Sequence, residues 1–326
     1  MKPLWITATR GYLSGLRVGG GRREGVRVFC YHGLVERRVD PLLERNFRLL
    51  SEFQDDLHFL RRFRILSLAE LVDQLSAETK RFKTAAVITF DDGYANNLIA
   101  GEVLNAARLP WSLFVSTGAV GREHSTWPVE LSLLLLHGRA EQVEALDRVW
   151  RLNSRLEREA AFQAIRSPLK QMPSTLRRQA LDCIRQQFPA GETERLLDEF
   201  PSLQMLSWEE VGWLADGGAE IGSHGVDHEI HHINQTEAVR SYELAESKKE
   251  LERRLGRPCA FFAFPNGDFT PVSANEVRTA GYKLAFTTQP ETVKPGANPY
   301  LLPRFDPNHF NSLHGFTRNF FWENAG

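Results

Sequence analysis

The chain has 326 residues, 42% hydrophobic and 25% charged, the make-up of an ordinary globular protein long enough to bury a sizeable core. With 40 Lys and Arg against 41 Asp and Glu, the formal net charge of -1 argues against a strongly basic nucleic-acid surface. Three scattered cysteines, Cys30, Cys183 and Cys259, argue against a disulfide framework or a cysteine-ligated zinc and read as free thiols. Residues 1–25 read as a flexible lead-in without the apolar core of a secretory signal, and the longest apolar run elsewhere, LLLL at 133–136, is too short to span a bilayer. A cytoplasmic place is therefore expected. Trp5, Ile6, Tyr12, Leu13 and Leu16 offer one weak apolar helix face among basic residues. Through it the N-terminus would touch a membrane, although a frayed or packed terminal segment is the plainer reading.

From residue 26 onward, short runs rich in β-branched and aromatic residues alternate with helical patterns. The strand candidates are VRVFCY (26–31), AAVITF (85–90), WSLFVS (111–116), AEIGS (219–223), AFFAF (260–264) and KLAFTT (283–288). Helices are expected over 43–61, 67–76, 96–108, 207–216, 236–255 and 272–280. Ser207 with Glu210 forms a capping box, and Thr270-Pro271 reads as an N-cap followed by an N1 proline. Such alternation predicts a mainly parallel sheet, open or closed into a barrel. From about 128 to 205 the rhythm breaks. That block is helical in pattern, rich in Arg and Glu and without a strand candidate, and it reads as an insertion serving as a lid or an oligomer contact.

Loops at the ends of parallel strands converge on one face, so chemistry is sought there. VFCYHG ends on His32, ITFDDG on Asp91 and Asp92, IGSHGVDH on His224 and His228, and FFAFPNGD on a Pro-Asn-Gly turn. His224 and His228 are one helical turn apart, and with a carboxylate from another strand they make a two-imidazole, one-carboxylate set that leaves metal positions open for water and substrate. A solvated histidine-rich loop extended by His231 and His232 is the bland alternative. A cation would also explain the adjacent acids: one ligates it while the other stays off it as general base.

TFDDG at 89–93 and the spaced histidines resemble the polysaccharide deacetylases of the NodB-homology type, carbohydrate esterase family 4. The resemblance covers about 26–125 and 205–305. It implies Asp91 as base, with Asp92, His224 and His228 as ligands of one divalent metal, zinc first, with cobalt, nickel or iron able to substitute. Gly225 stands where the family has a loop-steadying hydroxyl residue. FAFPNG departs further, with Ala263 in the place of an orienting arginine. It resembles the exopolysaccharide branch, in which Pro265 would shape the turn and the Asn266 N–H would bind the oxyanion. Arg304, in YLLPRFDP, is a candidate to replace the absent guanidinium. The family's late Leu-x-His acid is not found, so His32 is the candidate acid, with His309 and His314 behind it. Tyr31 and Tyr94 read as packing residues, and Trp127, Trp208 and Trp213 as core rather than sugar platforms.

These readings together imply a distorted (β/α) barrel of the NodB-homology type over 26–326 with a helical insertion at about 128–205. The implied function is a metal-dependent hydrolase removing N-acetyl groups from an amino sugar of a surface glycan or its precursor. The alternatives are a deformylase or cyclic-amide hydrolase on the same fold, and a non-catalytic carbohydrate-binding relic.

Overall fold

The computed structural model describes residues 24–77, 82–121 and 123–309. The apolar N-terminal face and His314 lie outside the described residues. The strands are β1 (Val26–Tyr31), β2 (Gly33–Val35), β3 (Phe47–Leu49), β4 (Arg64–Ile65), β5 (Ala85–Phe90), β6 (Ser112–Val115), β7 (Gln142–Ala145), β8 (Arg148–Arg151), β9 (Glu220–Ser223), β10 (Phe261–Ala263) and β11 (Leu284–Phe286). The helices are α1 (Leu50–Leu60), α2 (Leu68–Ser76), α3 (Asn97–Ala106), α4 (Trp127–His137), α5 (Arg155–Gln171), α6 (Ser174–Arg185), α7 (Glu192–Glu199), α8 (Trp208–Asp216), α9 (Glu237–Leu255) and α10 (Ser273–Thr279).

The main sheet is parallel in the order β1-β5-β6-β9-β10-β11, with β4 also paired to β5. The chain after β11 ties its last strand to its first. Leu302 bridges Phe286 and Phe305 bridges Phe29, and the Phe305 N–H reaches the Val28 carbonyl at 2.8 Å. The result is a curled, distorted barrel. Both β1 and β5 are buried throughout, as expected of parallel strands covered on both faces. Phe29, Tyr31, Ile88 and Phe90 pack under the outer helices, whereas Val26, Val28, Ala85 and Val87 join Phe114, Ala263 and Phe286 in an inner cluster. By the period of two, Thr89 and Asp91 continue the inner set. Asp91 is thus delivered to the mouth of the barrel by pleat alone.

Several expectations need correction. The stretch 43–61 is helical only from Leu50, because residues 47–49 form β3 and pair in parallel with β2. The Thr270 N-cap lies too early: α10 starts at Ser273, whose Oγ takes the Thr270 N–H at 2.9 Å. The capping box at Ser207 and Glu210 is present, with bonds of 3.2 and 2.8 Å. The insertion carries α4 to α7 but also the antiparallel hairpin β7–β8, where no strand was expected. Its core, including Leu131, Phe162 and Leu196, is continuous with Phe47 and Tyr94 of the barrel. No helix among the described residues is long and apolar enough to cross a membrane.

Candidate metal centre and catalytic cleft

Asp92, His224 and His228 are all buried where β5 and β9 end. Asp92 Oδ1 lies 3.3 Å from His224 Nε2 and 3.2 Å from His228 Nε2. Tetrahedral zinc with bonds of about 2.0–2.1 Å holds neighbouring ligand atoms about 3.3–3.4 Å apart. The observed spacings therefore suit a small divalent cation, and they are long for a charge-assisted hydrogen bond of about 2.7–2.9 Å. Asp92 Oδ1 is moreover buried without a hydrogen-bond partner, a cost that a cation would remove. Burial alone would raise the Asp92 carboxyl, but the His224 and His228 imidazoles more than offset it and hold it well below its ordinary range.

The surrounding backbone aims these three side chains. His224 Nδ1 sits 2.8 Å from the Ala263 carbonyl, so it carries the proton and leaves the Nε2 lone pair free for a metal. Trp127 Nε1 donates to the His228 carbonyl at 3.2 Å. Asp92 and His228 both adopt left-handed backbone, with φ of 74° and 54°, a conformation costing about 1–2 kcal/mol that persists only where neighbours enforce it. Gly225 stands between His224 and His228 in the loop at φ +82°, and a Cβ there would lie 2.5 Å from Glu243 Oε2. That carboxylate, from α9, accepts the Val226 N–H at 2.8 Å and the Asp227 N–H at 3.1 Å. Glu243 thus fills the space of the missing hydroxyl side chain and holds the loop from outside. Burial, with Asp227 nearby, pushes its carboxyl up to about 7.

Asp91 has a different partner. Arg304 grips it as a two-pronged fork, Nη1 to Oδ1 at 2.7 Å and Nη2 to Oδ2 at 2.6 Å. The guanidinium is fully buried inside the barrel between the rings of Phe114 and Phe286, with centroids at 5.6 and 5.8 Å, and its Nε donates to the Thr287 carbonyl at 3.0 Å. Arg304 lies in the closing run between Leu302 and Phe305, so the contact that seals the barrel also brings the guanidinium to Asp91. Burial would raise the Asp91 carboxyl, but Arg304 and then His224 reverse this and lower it. Cys30 Sγ is 3.3 Å from Asp91 Oδ2, and a His32 ring nitrogen lies within 4.8 Å of both side chains. Cys30, His32 and Asp91 make a poor metal site. Arg304 holds both Asp91 oxygens, and burial pushes the Cys30 thiol up, keeping it protonated.

His32 lines the same cleft, with Nδ1 buried and unpaired. Asn266 also lines it in left-handed backbone at φ 60°, its side chain donating to Asp268 Oδ2 at 2.7 Å. Pro265 is buried at the start of that turn. Tyr31 is core, bonded to Asp56 and packed on Phe53 and Phe90, whereas Tyr94 borders the cleft beside Asp92. Trp208 and Trp213 do not line the cleft, and Trp213 is exposed on α8. The described residues end at His309. Sequence reasoning missed Glu243, the Ala263 carbonyl and the Trp127 indole N–H, all of which act through contacts that no motif spacing reveals. It also missed the cleft-facing side chains of Arg45, Arg166 and Lys170.

A barrel closed by Arg304 over paired strand-end acids, with an imidazole pair across the mouth, defines a metal-assisted hydrolase of the deacetylase kind. The sequence matches the polysaccharide deacetylase family over residues 78–285, and the chain belongs to that family. No curated protein matches it. Among solved structures, IcaB from Ammonifex degensii is 19% identical, with a TM-score of 0.56, over 87% of this chain and 92% of its own. The deacetylase PplD of Streptococcus pyogenes, in complex with acetate, is 16% identical, with a TM-score of 0.58, over 92% and 99%. A de-N-acetylase from Aggregatibacter actinomycetemcomitans is 14% identical, with a TM-score of 0.52, over 89% and 99%. At these identities the likeness is one of fold.

Proposed function

We propose that the cleft hydrolyses the acetamido group of an N-acetylated amino sugar belonging to a surface glycan or its precursor. One divalent ion, zinc before cobalt, nickel or iron, would be held by Asp92, His224 and His228. The observation that carries this reading is the division of labour between two adjacent carboxylates, Asp91 forked onto Arg304 and Asp92 set against two imidazoles. The acetate bound to the PplD structure of similar fold supports it, since acetate is the product of such a reaction.

A bound divalent ion supplies Lewis acidity, polarising the amide carbonyl and favouring ionisation of water. Asp91 accepts the proton of the attacking water. Each carboxylate oxygen has two lone pairs, so the Arg304 fork leaves acceptor capacity. Arg304 keeps the carboxylate ionised and fixes its plane. The carbon–oxygen bond forms, the Asn266 N–H donates to the oxygen that becomes negative, and His32 gives a proton to the departing nitrogen as the carbon–nitrogen bond breaks. The products are acetate and the free amine.

Acetate release from N-acetylglucosamine oligomers, measured before and after chelation, tests the reaction. The activity should vanish with chelator and return with zinc; chelator-insensitive acetate release would overturn the metal assignment. His32→Ala should depress turnover on the amide far more than on an activated acetyl ester, whose phenolate leaves unprotonated. Equal losses on both substrates would make His32 structural.

A further inference from the structure

Arg45, Arg166 and Lys170 line the cleft that holds Asp91, Asp92 and His32. Arg45 comes from the connection between β2 and β3, and the other two from α5, one turn apart on one helix face. The Arg45 guanidinium sits 5.5 Å from the Phe162 ring centre and the Arg166 guanidinium 5.7 Å from the same ring, so one buried aromatic organises both. Arg45 is further tethered by a 3.0 Å bond to the Leu42 carbonyl, and Lys170 bonds to the neutral side-chain oxygen of Asn266. Among the described residues, none of the three has an ion-pair partner.

That sets them against most arginines in this part of the chain. Most other arginines of the insertion pair with acids, Arg155 with Glu159, Arg177 with Glu229, Arg178 with Asp227, Arg185 with Glu130, and Arg195 with Glu192, whereas Arg158 instead donates to the Leu135 and Ala140 carbonyls and Arg148 lies over Trp150. The acids of the cleft, by contrast, are already engaged. Asp91 belongs to Arg304, Asp92 faces two imidazoles, and Asp306 accepts the Asn308 N–H. The three cations are partly buried and act on one another. Burial, then Arg45, pushes Arg166 down to about 10, and burial, then Arg166 and Arg45, pushes Lys170 down to about 8. Such crowding is unfavourable without an anion.

We propose that Arg45, Arg166 and Lys170 form an anion subsite for a phosphate carried by the N-acetylated sugar, which rests on the deacetylase reading above. A phosphate is favoured over a carboxylate because three converging cations match a dianion with several acceptor oxygens, and guanidinium forks suit its geometry. The substrate is then a sugar phosphate or a phosphate-linked sugar rather than a neutral homopolymer. The subsite is a determinant of specificity beside the bond-breaking residues, lining the same cleft and reaching the Asn266 side chain through Lys170.

The test uses the metal-loaded protein with N-acetylglucosamine 1-phosphate and with neutral N-acetylglucosamine oligomers. The wild type should prefer the phosphate ester in kcat/KM by about tenfold or more, the usual scale of a charge-assisted contact. In Arg45→Gln, Arg166→Gln the ratio of the two kcat/KM values should fall by at least about tenfold. Lys170→Gln, whose stem is part-exposed, serves as the second variant should the double one melt early. A preference for the neutral oligomers, an unchanged ratio in both variants, or a stronger preference for a carboxylate-bearing N-acetyl sugar would overturn the proposal. Calorimetric titration of the chelated protein with inorganic phosphate separates the two readings. Binding that weakens in the variants, without acetate release from any substrate, would keep the subsite and reject the deacetylase. Phosphate binding that disappears with the metal, or is equal in variants and wild type, would reject the subsite.

Discussion

The floor of the cleft and its roof treat charge in opposite ways. On the floor, at the strand ends, each buried charge faces a partner: Asp91 meets Arg304 from the closing run, and Asp92 meets two imidazoles held by the Ala263 carbonyl and the Trp127 loop contact. On the roof, α5 and the β2–β3 connection present Arg45, Arg166 and Lys170, which form no ion pair among the described residues, although the same insertion pairs most of its other arginines. The difference teaches which part works alone. A floor organised before substrate arrives costs no rearrangement during reaction, which is what charge stabilisation in a transition state requires. A roof with unneutralised charge is completed only by what it binds.

The floor should break hardest at its proposed metal ligands. Asp92→Ala should lose bound metal and roughly 10³–10⁴-fold in rate, since the Lewis acid contributes several kcal/mol. Elemental analysis beside the rate checks this, and full metal content in the His224→Ala, His228→Ala double variant would sink the ligand set. Asp91→Asn should lose roughly 10²–10⁴-fold while keeping the metal, because the amide is nearly isosteric but cannot accept the proton. A near wild-type rate there would remove Asp91 from its role.

Arg304 separates organisation from chemistry. Arg304→Met leaves Asp91 buried and unpaired, and removing one partner of a buried pair costs about 3–5 kcal/mol. Denaturant unfolding should show that loss, together with a reduced rate. Arg304→Lys retains charge without the fork, so it should recover much of the stability and less of the rate. If both variants unfold at the wild-type midpoint, the pair does not support the fold.

Much of this was legible in the chain before folding. The boundaries of β1 and β5 follow from runs of β-branched and aromatic residues, and Asp91, Asp92, His224 and His228 stand at strand ends in recognisable spacing. Arg304 was readable only as a candidate, because its contact with Asp91 spans 213 positions and depends on how the barrel closes. The β7–β8 hairpin stayed hidden because its turn puts Leu146 and Asp147 at φ 56° with neither glycine nor asparagine to announce it. The roof cations were invisible for another reason. An arginine among many in an amphipathic helix shows its lack of a partner only when the neighbours are in place.

The smallest expected effect concerns the support beneath the floor, where Gly225 and Glu243 share one space. Glu243→Ala leaves the Val226 and Asp227 N–H groups without their acceptor and frees the loop between His224 and His228. Outer contacts of this kind change metal affinity by about 10–100-fold, so zinc affinity measured by competition with a chelator should fall within that range. Glu243→Gln keeps one acceptor oxygen and should lose less. Gly225→Ser alone drives a Cβ to 2.5 Å from Glu243 Oε2 at φ +82° and should weaken binding as well. Combining Gly225→Ser with Glu243→Ala removes the clash and offers a hydroxyl to the same amides, so the double variant should bind zinc better than the sum of the single losses predicts. The strained backbone remains, which limits the recovery to a part of the loss. Strict additivity in that cycle would mean that the carboxylate and the glycine do not act as one device, and the loop would then owe its shape to the Trp127 contact instead.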